Sequence, residues 1–214
     1  MRFGNASTKP FKTTKKKNSS GAHVTSPAEP KPFAEKRDPP GRDGAGGVRR
    51  VVLTGFMGSG KSTVGPLVAA RLGWRFIDAD NVIEAEAGAT IAEIFRRDGE
   101  AAFREREHAT ILRLLGEEEL VLALGGGAIE HTATREALTG TDRTLLVHLD
   151  VALETTVARC GGTDHVRPIL ADRANLESRY SRRRPLYRRA DVSIAVDALT
   201  PDEVASAVAE ALRQ

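Results

Sequence analysis

The chain has 214 residues, of which 40% are hydrophobic, 29% charged and 5% aromatic. This length suits one well-buried domain, which hides roughly 70% of its unfolded surface. No run of roughly 18 apolar residues occurs, so we expect no transmembrane helix. The single cysteine, Cys160, cannot form an intramolecular disulfide, and the five scattered histidines show no zinc-ligand spacing. We therefore expect an intracellular, cytoplasmic protein.

Charge is distributed unevenly along the chain. The first fifty residues hold seven lysines, five arginines and four acidic residues, so they carry +8 and leave −5 for the rest of a chain whose total is +3. The net positive charge therefore comes from the N-terminal segment. The rest of the chain, the body, is net negative, which does not indicate nucleic-acid binding.

Residues 1–48 are predicted to be a disordered basic tail. Six of the ten prolines lie before residue 41, and no hydrophobic period of a strand or a helix is present there. One interpretation is a dispensable extension. A second is an organellar transit peptide, since no acidic residue precedes Glu29, and this would place the protein in a plastid. A third is an arm that binds nucleic acid or a protein partner.

From residue 49 onward the pattern predicts alternating strands and helices. Short apolar runs predict strands at 50–54, 75–78, 120–124, 144–149 and 192–196. Helices are predicted from near residue 60 to 72 and at 81–87, 90–97, 99–115, 151–160, 172–190 and 201–212. Because the strands are almost continuously apolar, we expect a three-layer α/β/α fold with a five-stranded parallel sheet, and the domain spans 49–214.

The segment GFMGSGKST, residues 55–63, matches G-x-x-x-x-G-K-[ST] between a predicted strand and a predicted helix. In such a loop, backbone N–H groups point into an anion-sized hollow, and the helix adds the positive end of its dipole. The lysine is expected to reach the β- and γ-phosphates, and Ser62 is expected to take a Mg²⁺ position. The predicted ATP-binding residues of this loop are Gly58, Ser59, Gly60, Lys61, Ser62 and Thr63.

The distribution of lysine and arginine after residue 50 favours a nucleotide-binding loop over a glycine-rich turn without a ligand. Lys61 is the only lysine after Lys36, although residues 51–214 contain nineteen arginines. A compact ammonium fits between phosphates where a planar guanidinium does not. The lack of other lysines also excludes the N-K-x-D element of a GTPase. A large motor or AAA-type ATPase needs a longer chain, so a small-molecule or nucleotide kinase remains.

Acidic residues follow two of the predicted strands. The second strand ends in Asp78-Ala-Asp80. If this segment is extended, residues i and i+2 point the same way, and both carboxylates face the crevice at the end of the sheet. The alternative is a surface acid and a helix N-cap. Asp150, after the fourth strand, is predicted to be an N-cap, and Asp78 is predicted to be the metal-binding acid.

Residues 50–190 resemble shikimate kinase. The matching segments are 55–63, 78–80, 98–107, 124–127, 166–168 and 183–187. The resemblance implies a P-loop kinase with a mobile lid at about 161–173. It implies ATP-dependent phosphorylation of the shikimate 3-hydroxyl to give shikimate 3-phosphate, in the biosynthesis of chorismate and aromatic amino acids. Mg²⁺ is the implied cofactor, ATP and shikimate are the implied partners, and we expect a monomer that binds neither nucleic acid nor a membrane.

The resemblance also implies roles for individual residues on the substrate side. Arg104 and Arg183 would bind the shikimate carboxylate as bidentate clamps. Asp80 would accept ring hydroxyls and serve as base for the attacking one. Gly126 would offer its backbone N–H to the substrate. Glu107, three residues after Arg104, would orient that guanidinium.

On the nucleotide side the resemblance implies two further arginines. Arg159 would stack on adenine. Arg167, in the predicted lid, would stabilise charge on the transferring phosphoryl group and would complete a catalytic set with Lys61 and Asp80.

Other functions remain open at this point. The first alternative is a related kinase of gluconate or of a nucleotide, and the second is a non-catalytic ATP-binding module. Six arginines between residues 179 and 189 could form a nucleic-acid patch, but aromatic residues are scarce among them.

Overall fold

The computed structural model describes residues 47–160 and 173–213, so the predicted tail and lid lie almost entirely outside the described residues. The described strands are β1 (Arg50–Thr54), β2 (Arg75–Asp78), β3 (Leu120–Ala123), β4 (Thr144–Asp150) and β5 (Val192–Ala195). The described α-helices are α1 (Lys61–Leu72), α2 (Ala79–Ala87), α3 (Ile91–Leu114), α4 (Thr132–Gly140), α5 (Leu153–Cys160), α6 (Arg173–Tyr187) and α7 (Pro201–Ala211). A single 3₁₀ turn, Ala128–Glu130, follows β3. None of these helices is both long enough and apolar enough to cross a bilayer.

The five strands form one parallel sheet in the order β2-β3-β1-β4-β5, which confirms the predicted sheet. Every residue of β1 and β3 is buried, as are all but the last of β4. Such strands must be covered on both faces, as expected for a parallel sheet with helices on both sides. Because the strands are parallel, the segments that follow β1, β2 and β3 start at the same edge of the sheet.

Local signals set several helix ends. α3 begins after Thr90 and α7 after Thr200, and each threonine forms a capping box with a glutamate three residues later. α3 is interrupted at Gly99, where φ is 82° and ψ is 169°. This confirms the break that was predicted between 90–97 and 99–115.

The Asp78–Asp80 segment is not extended, so that part of the sequence argument was wrong. α2 begins at Ala79, two residues earlier than predicted, because the Asp78 carboxylate caps it and accepts the N–H of Asp80 at 3.1 Å. Asp78 is therefore the N-cap, and Asp80 lies in the first turn of α2.

The predicted cap of α5 was also wrong. α5 begins at Leu153, and Asp150 is the last residue of β4. The Ala152 N–H at the start of α5 instead donates to the Asp197 carboxylate at 3.0 Å, a contact between residues far apart in sequence. α4 was not predicted at all.

A small cluster apart from the main core joins α2 to α3. Ile83, Ile94 and Phe103 are almost fully buried and pack together, with Phe95 and Ile91 against them. This cluster fixes the two helices that carry Asp80, Arg104 and Glu107. The fold thus presents these polar side chains next to the edge of the sheet from which the phosphate loop departs.

Candidate active site

The glycine-rich loop between β1 and α1 has the backbone shape of a phosphate site. Gly60 is the N-cap of α1 with φ of 93°, a left-handed conformation that a residue with a side chain rarely adopts. The Lys61 ammonium donates to the carbonyl oxygens of Gly55 at 2.8 Å and Phe56 at 3.2 Å. The only described lysine is therefore held at the loop itself, at the positive end of α1.

An oxygen pair lies at the first turn of α1. The Ser62 hydroxyl donates to Oδ2 of Asp78 at 2.7 Å, which joins α1 to the end of β2. Hydroxyl and carboxylate oxygens are hard ligands of the kind Mg²⁺ prefers. Among the described residues, no group of three or more His, Cys, Asp or Glu could hold a metal. A Mg²⁺ here would thus take its remaining ligands from water and phosphate oxygens.

A cavity of about 420 Å³ adjoins the phosphate loop. Arg159 crosses one side of it, with Nη1 donating to the Gly58 carbonyl at 3.1 Å and Nη2 donating to the Val196 carbonyl at 3.2 Å. Apolar lining comes from Val64, Leu199, Pro201 and Val204. A planar guanidinium beside an apolar wall suits a nucleobase.

A second cavity of about 340 Å³ lies between α3, α6 and the segment that follows β3, with Met57 of the phosphate loop in its wall. Its charged lining residues are Asp80, Glu100, Arg104, Glu107, Arg179 and Arg183. The mixture of carboxylates and guanidinium groups suits a small anion that also carries hydroxyls.

Two carboxyl groups of this cavity are strongly perturbed. Burial, assisted by the neighbouring Asp78, raises the pKa of Asp80 to about 6. Burial also raises the pKa of Glu107 to about 7, against the opposing effect of Arg104. Arg104 Nη1 donates to Glu107 Oε2 at 2.6 Å, so the contact between these two side chains that the resemblance implies is present. The other Glu107 oxygen is buried without a hydrogen-bond partner among the described residues.

The second arginine is held from outside the cavity. Arg183 is 7% exposed, and its Nε donates to Oε2 of Glu130 at 2.8 Å. One turn later on α6, the Tyr187 hydroxyl donates to the carbonyl of Gly126. The glycine segment, residues 125–127, is thereby joined to α6 at Gly126, and the 3₁₀ turn that follows it is joined to α6 at Glu130.

Comparisons with known proteins agree with this geometry. The sequence model of the shikimate kinase family matches residues 57–213. The shikimate kinase of Persephonella marina is 39% identical over 169 residues, which cover 78% of this chain and 100% of that protein. The shikimate kinase of Salinibacter ruber is 41% identical over 159 residues, which cover 69% of this chain and 77% of that protein. The chain belongs to the shikimate kinase family.

A solved structure supports the same membership. Shikimate kinase from Acinetobacter baumannii, in complex with shikimate, matches with a TM-score of 0.72 and 35% identity over 78% of this chain and 93% of that one. The predicted family, fold class and enzyme class are confirmed, and the chain is a kinase. The alternative of a related kinase of gluconate or of a nucleotide is not favoured.

The residues implied by the resemblance to shikimate kinases fall into two neighbouring groups. The first cavity is lined by Gly58, Ser59, Gly60, Thr63 and Arg159, Ser62 forms the oxygen pair with Asp78, and Lys61 contacts carbonyl oxygens of the loop. The second group, Asp80, Arg104, Gly126 and Arg183, lines the second cavity. Arg167 lies outside the described residues.

Sequence reasoning missed two polar residues that lie beside the second cavity. Glu130 belongs to none of the matching segments, and Tyr187 ends the segment 183–187 without a role being predicted for it. Their contacts join residues 53 and 61 positions apart, which the sequence pattern does not indicate. Two aromatic rings were missed as well. The Arg104 guanidinium lies 5.2 Å from the ring centre of Phe103 and 5.9 Å from that of Phe95.

A glycine-to-alanine substitution tests whether Arg104 needs the space that Gly127 leaves beside it. A Cβ on Gly127 would lie 2.2 Å from Arg104 Nη2, the end of a flexible side chain that can move aside. We expect Gly127→Ala to fold, with Tm within about 2 °C of wild type, and to raise the KM of the phosphoryl acceptor by about tenfold because Arg104 is displaced. Steady-state kinetics test this, with Gly140→Ala as control, since a Cβ there would meet no described atom within 4 Å beyond its chain neighbours and the adjacent backbone of α4. An unchanged acceptor KM in Gly127→Ala would contradict the expectation.

Proposed function

We propose that this kinase transfers the γ-phosphoryl group of ATP to the 3-hydroxyl of shikimate and yields shikimate 3-phosphate and ADP. The observation that carries the proposal is the lining of one cavity, next to the phosphate loop, by Asp80 and by the guanidinium groups of Arg104 and Arg183. Shikimate is a small carboxylate with three hydroxyls, and this set of side chains matches it. Membership in the shikimate kinase family supports the same substrate.

On the nucleotide side, we assign the ATP phosphates to the backbone N–H groups of residues 58–63 and to the Lys61 ammonium. Arg159 would lie against the adenine, within the cavity that it shares with the loop. Ser62 and Asp78 would hold Mg²⁺, because their oxygens already lie within hydrogen-bond distance of each other. When bound, the metal neutralises charge on the phosphates.

On the acceptor side, Arg104 and Arg183 would bind the carboxylate, and the Gly126 N–H would lie beside it. The Asp80 carboxylate would accept the proton of the 3-hydroxyl as that oxygen attacks the γ-phosphorus. The bond between the γ-phosphorus and the bridging oxygen breaks as the new bond forms, and ADP leaves. A pKa of about 6 suits this role, since Asp80 is ionised at neutral pH and is more basic than an ordinary aspartate.

We assign charge stabilisation during transfer to Arg167, on the lid proposed at about 161–173. We also propose, from the sequence, that the enzyme is a cytoplasmic monomer without nucleic-acid partners. Residues 1–48 would take no part in catalysis.

A coupled assay of ADP release tests the function. Shikimate, gluconate and AMP are compared as acceptors at equal concentration, each with Mg²⁺-ATP and with ATP in the presence of EDTA. We expect ADP release only in the reaction that contains both shikimate and Mg²⁺-ATP. Turnover with gluconate or AMP and none with shikimate would refute the proposal. No ADP release with any of the three acceptors would indicate a non-catalytic ATP-binding module instead.

A further inference from the structure

Glu130, the last residue of the 3₁₀ turn that follows the glycine segment, makes a charged contact beside the site to which no role has been assigned. Its Oε2 accepts from Arg183 Nε at 2.8 Å and pairs with Arg183 Nη2 at 2.7 Å. Its Oε1 accepts from Arg182 Nε at 2.7 Å. One carboxylate therefore joins two consecutive arginines of α6, one buried and one 58% exposed at its side chain.

The contact with Glu130 determines which edge of the Arg183 guanidinium is left for a second carboxylate. A guanidinium has two edges that can bind a carboxylate: one made by Nε and Nη2, and one made by Nη1 and Nη2. Glu130 occupies the first edge of Arg183. Nη1, which belongs to the second edge, lies 3.9 Å from the point where a Cβ on Gly126 would be, on the cavity side. The edge left for a second carboxylate is thus the one next to Gly126.

The position of Glu130 itself is fixed by the backbone around it. Its N–H donates to the Gly127 carbonyl at 2.9 Å, which ties it to the glycine segment. Its carbonyl accepts from Arg135 Nη1 at 2.7 Å, and so does the carbonyl of Ile129 at 2.8 Å. A short rigid segment therefore carries both Gly126 and the acid that orients Arg183.

Glu130 is ionised in this setting. Partial burial works to raise its pKa, but hydrogen bonds from Arg183 and Arg182 outweigh that effect and place the pKa below its ordinary value. The Glu130 carboxylate then neutralises the charge of Arg183 at its Nε–Nη2 edge and holds the side chain in one orientation before a ligand binds. Holding a binding group in its productive orientation lowers the entropy lost on binding.

We propose that Glu130 is a positioning residue for recognition of the acceptor carboxylate, acting through Arg183. It does not touch the substrate. Glu130 orients Arg183 so that the other edge of the guanidinium faces the cavity and stays next to Gly126. This inference rests on the proposed function, in which Arg183 binds the carboxylate of shikimate.

A double-mutant cycle tests the proposal in the full-length enzyme. Glu130→Ala is expected to raise the KM for shikimate by about tenfold, with kcat and the KM for ATP within about twofold of wild type. Glu130→Gln keeps one acceptor oxygen without the charge, and we expect an intermediate KM. Arg182→Ala is the matched control, since it removes the other partner of Glu130, and its shikimate KM is expected to stay within about twofold of wild type.

The decisive comparison is made in an Arg183→Ala background. If Glu130 acts through Arg183, adding Glu130→Ala there lowers kcat/KM for shikimate by less than about twofold, instead of about tenfold. A loss that persists undiminished in that background would overturn the proposal, because it would mean that Glu130 only supports the fold. An unchanged shikimate KM in both Glu130→Ala and Glu130→Gln would also overturn it. A wild-type enzyme that does not turn over shikimate would instead refute the proposed function, so the two failures are distinguishable.

Discussion

Lys61→Ala is expected to lower kcat by at least about 10³-fold, because the variant lacks the positive charge that stabilises the transferring phosphoryl group. The Lys61 ammonium already lies at the loop, 2.8 Å from the carbonyl oxygen of Gly55. No other lysine exists in the described residues to replace it. The coupled ADP-release assay with saturating shikimate measures the loss, and a melting curve checks that the variant folds.

Lys61→Arg separates the charge from the shape of this group. We expect it to be nearly as inactive as Lys61→Ala, since a planar guanidinium is too wide for a hollow built for a compact ammonium. Arg113→Ala is the control for loss of a positive charge, because that side chain is 51% exposed on α3 and pairs only with Glu86 among the described residues. Activity in Lys61→Arg close to that of wild type would show that the charge alone matters.

The sheet and the phosphate loop were predictable because their signals are local. β1 and β2 have the predicted bounds, and the glycine loop follows β1 as its motif requires. α4 was missed because its sequence, TATREALTG, is rich in β-branched threonine and ends in glycine. Such residues weaken the helical pattern, and contacts with the rest of the fold decide its structure.

The aspartates after β2 show how a local contact can reverse an argument from periodicity. An extended segment would place Asp78 and Asp80 on one side, but the Asp78 carboxylate accepts the Asp80 N–H and starts a helix. Both residues nevertheless reach the site, from different directions. Asp78 lies with Ser62, and Asp80 faces Gly125, where a Cβ would lie 2.6 Å from its Oδ1.

The supporting contacts of the site could not be predicted from one sequence. Glu130 and Arg183 lie in separate segments, and only the folded chain brings them within 2.8 Å. The same holds for pKa values. Nothing in the residues around Asp80 indicates that burial raises its pKa to about 6.

Asp80→Asn is expected to lower kcat by about 10³-fold, because an amide cannot accept the proton of the attacking hydroxyl. In the wild-type enzyme, kcat/KM for shikimate should rise with pH as Asp80 loses its proton around pH 6. Steady-state kinetics from pH 5 to pH 8 test both points. Asp142→Asn is the control, since this exposed aspartate between α4 and β4 lines neither cavity. Turnover by Asp80→Asn at the wild-type rate would exclude Asp80 as the base.

The same substitution is expected to stabilise the protein at neutral and alkaline pH. The pKa of Asp80 is raised from 3.8 to about 6, so the folded state binds its proton more tightly than the unfolded state does. Well below pH 4 the side chain is protonated in both states and has no effect on stability. Between pH 4 and pH 6 it ionises in the unfolded state but keeps its proton in the folded state, where burial beside Asp78 disfavours the charge. Asn carries no charge at any pH. The free energy of unfolding of Asp80→Asn should therefore exceed that of wild type by an amount that grows from pH 4 to pH 6 and is constant above it.

Denaturant unfolding at pH 5, 6 and 8 measures the difference. A variant that is less stable than wild type at pH 8 would show that the Asp80 carboxylate contributes to the fold, whereas the expected gain would mean that the ionised form is kept at a cost in stability because catalysis requires it.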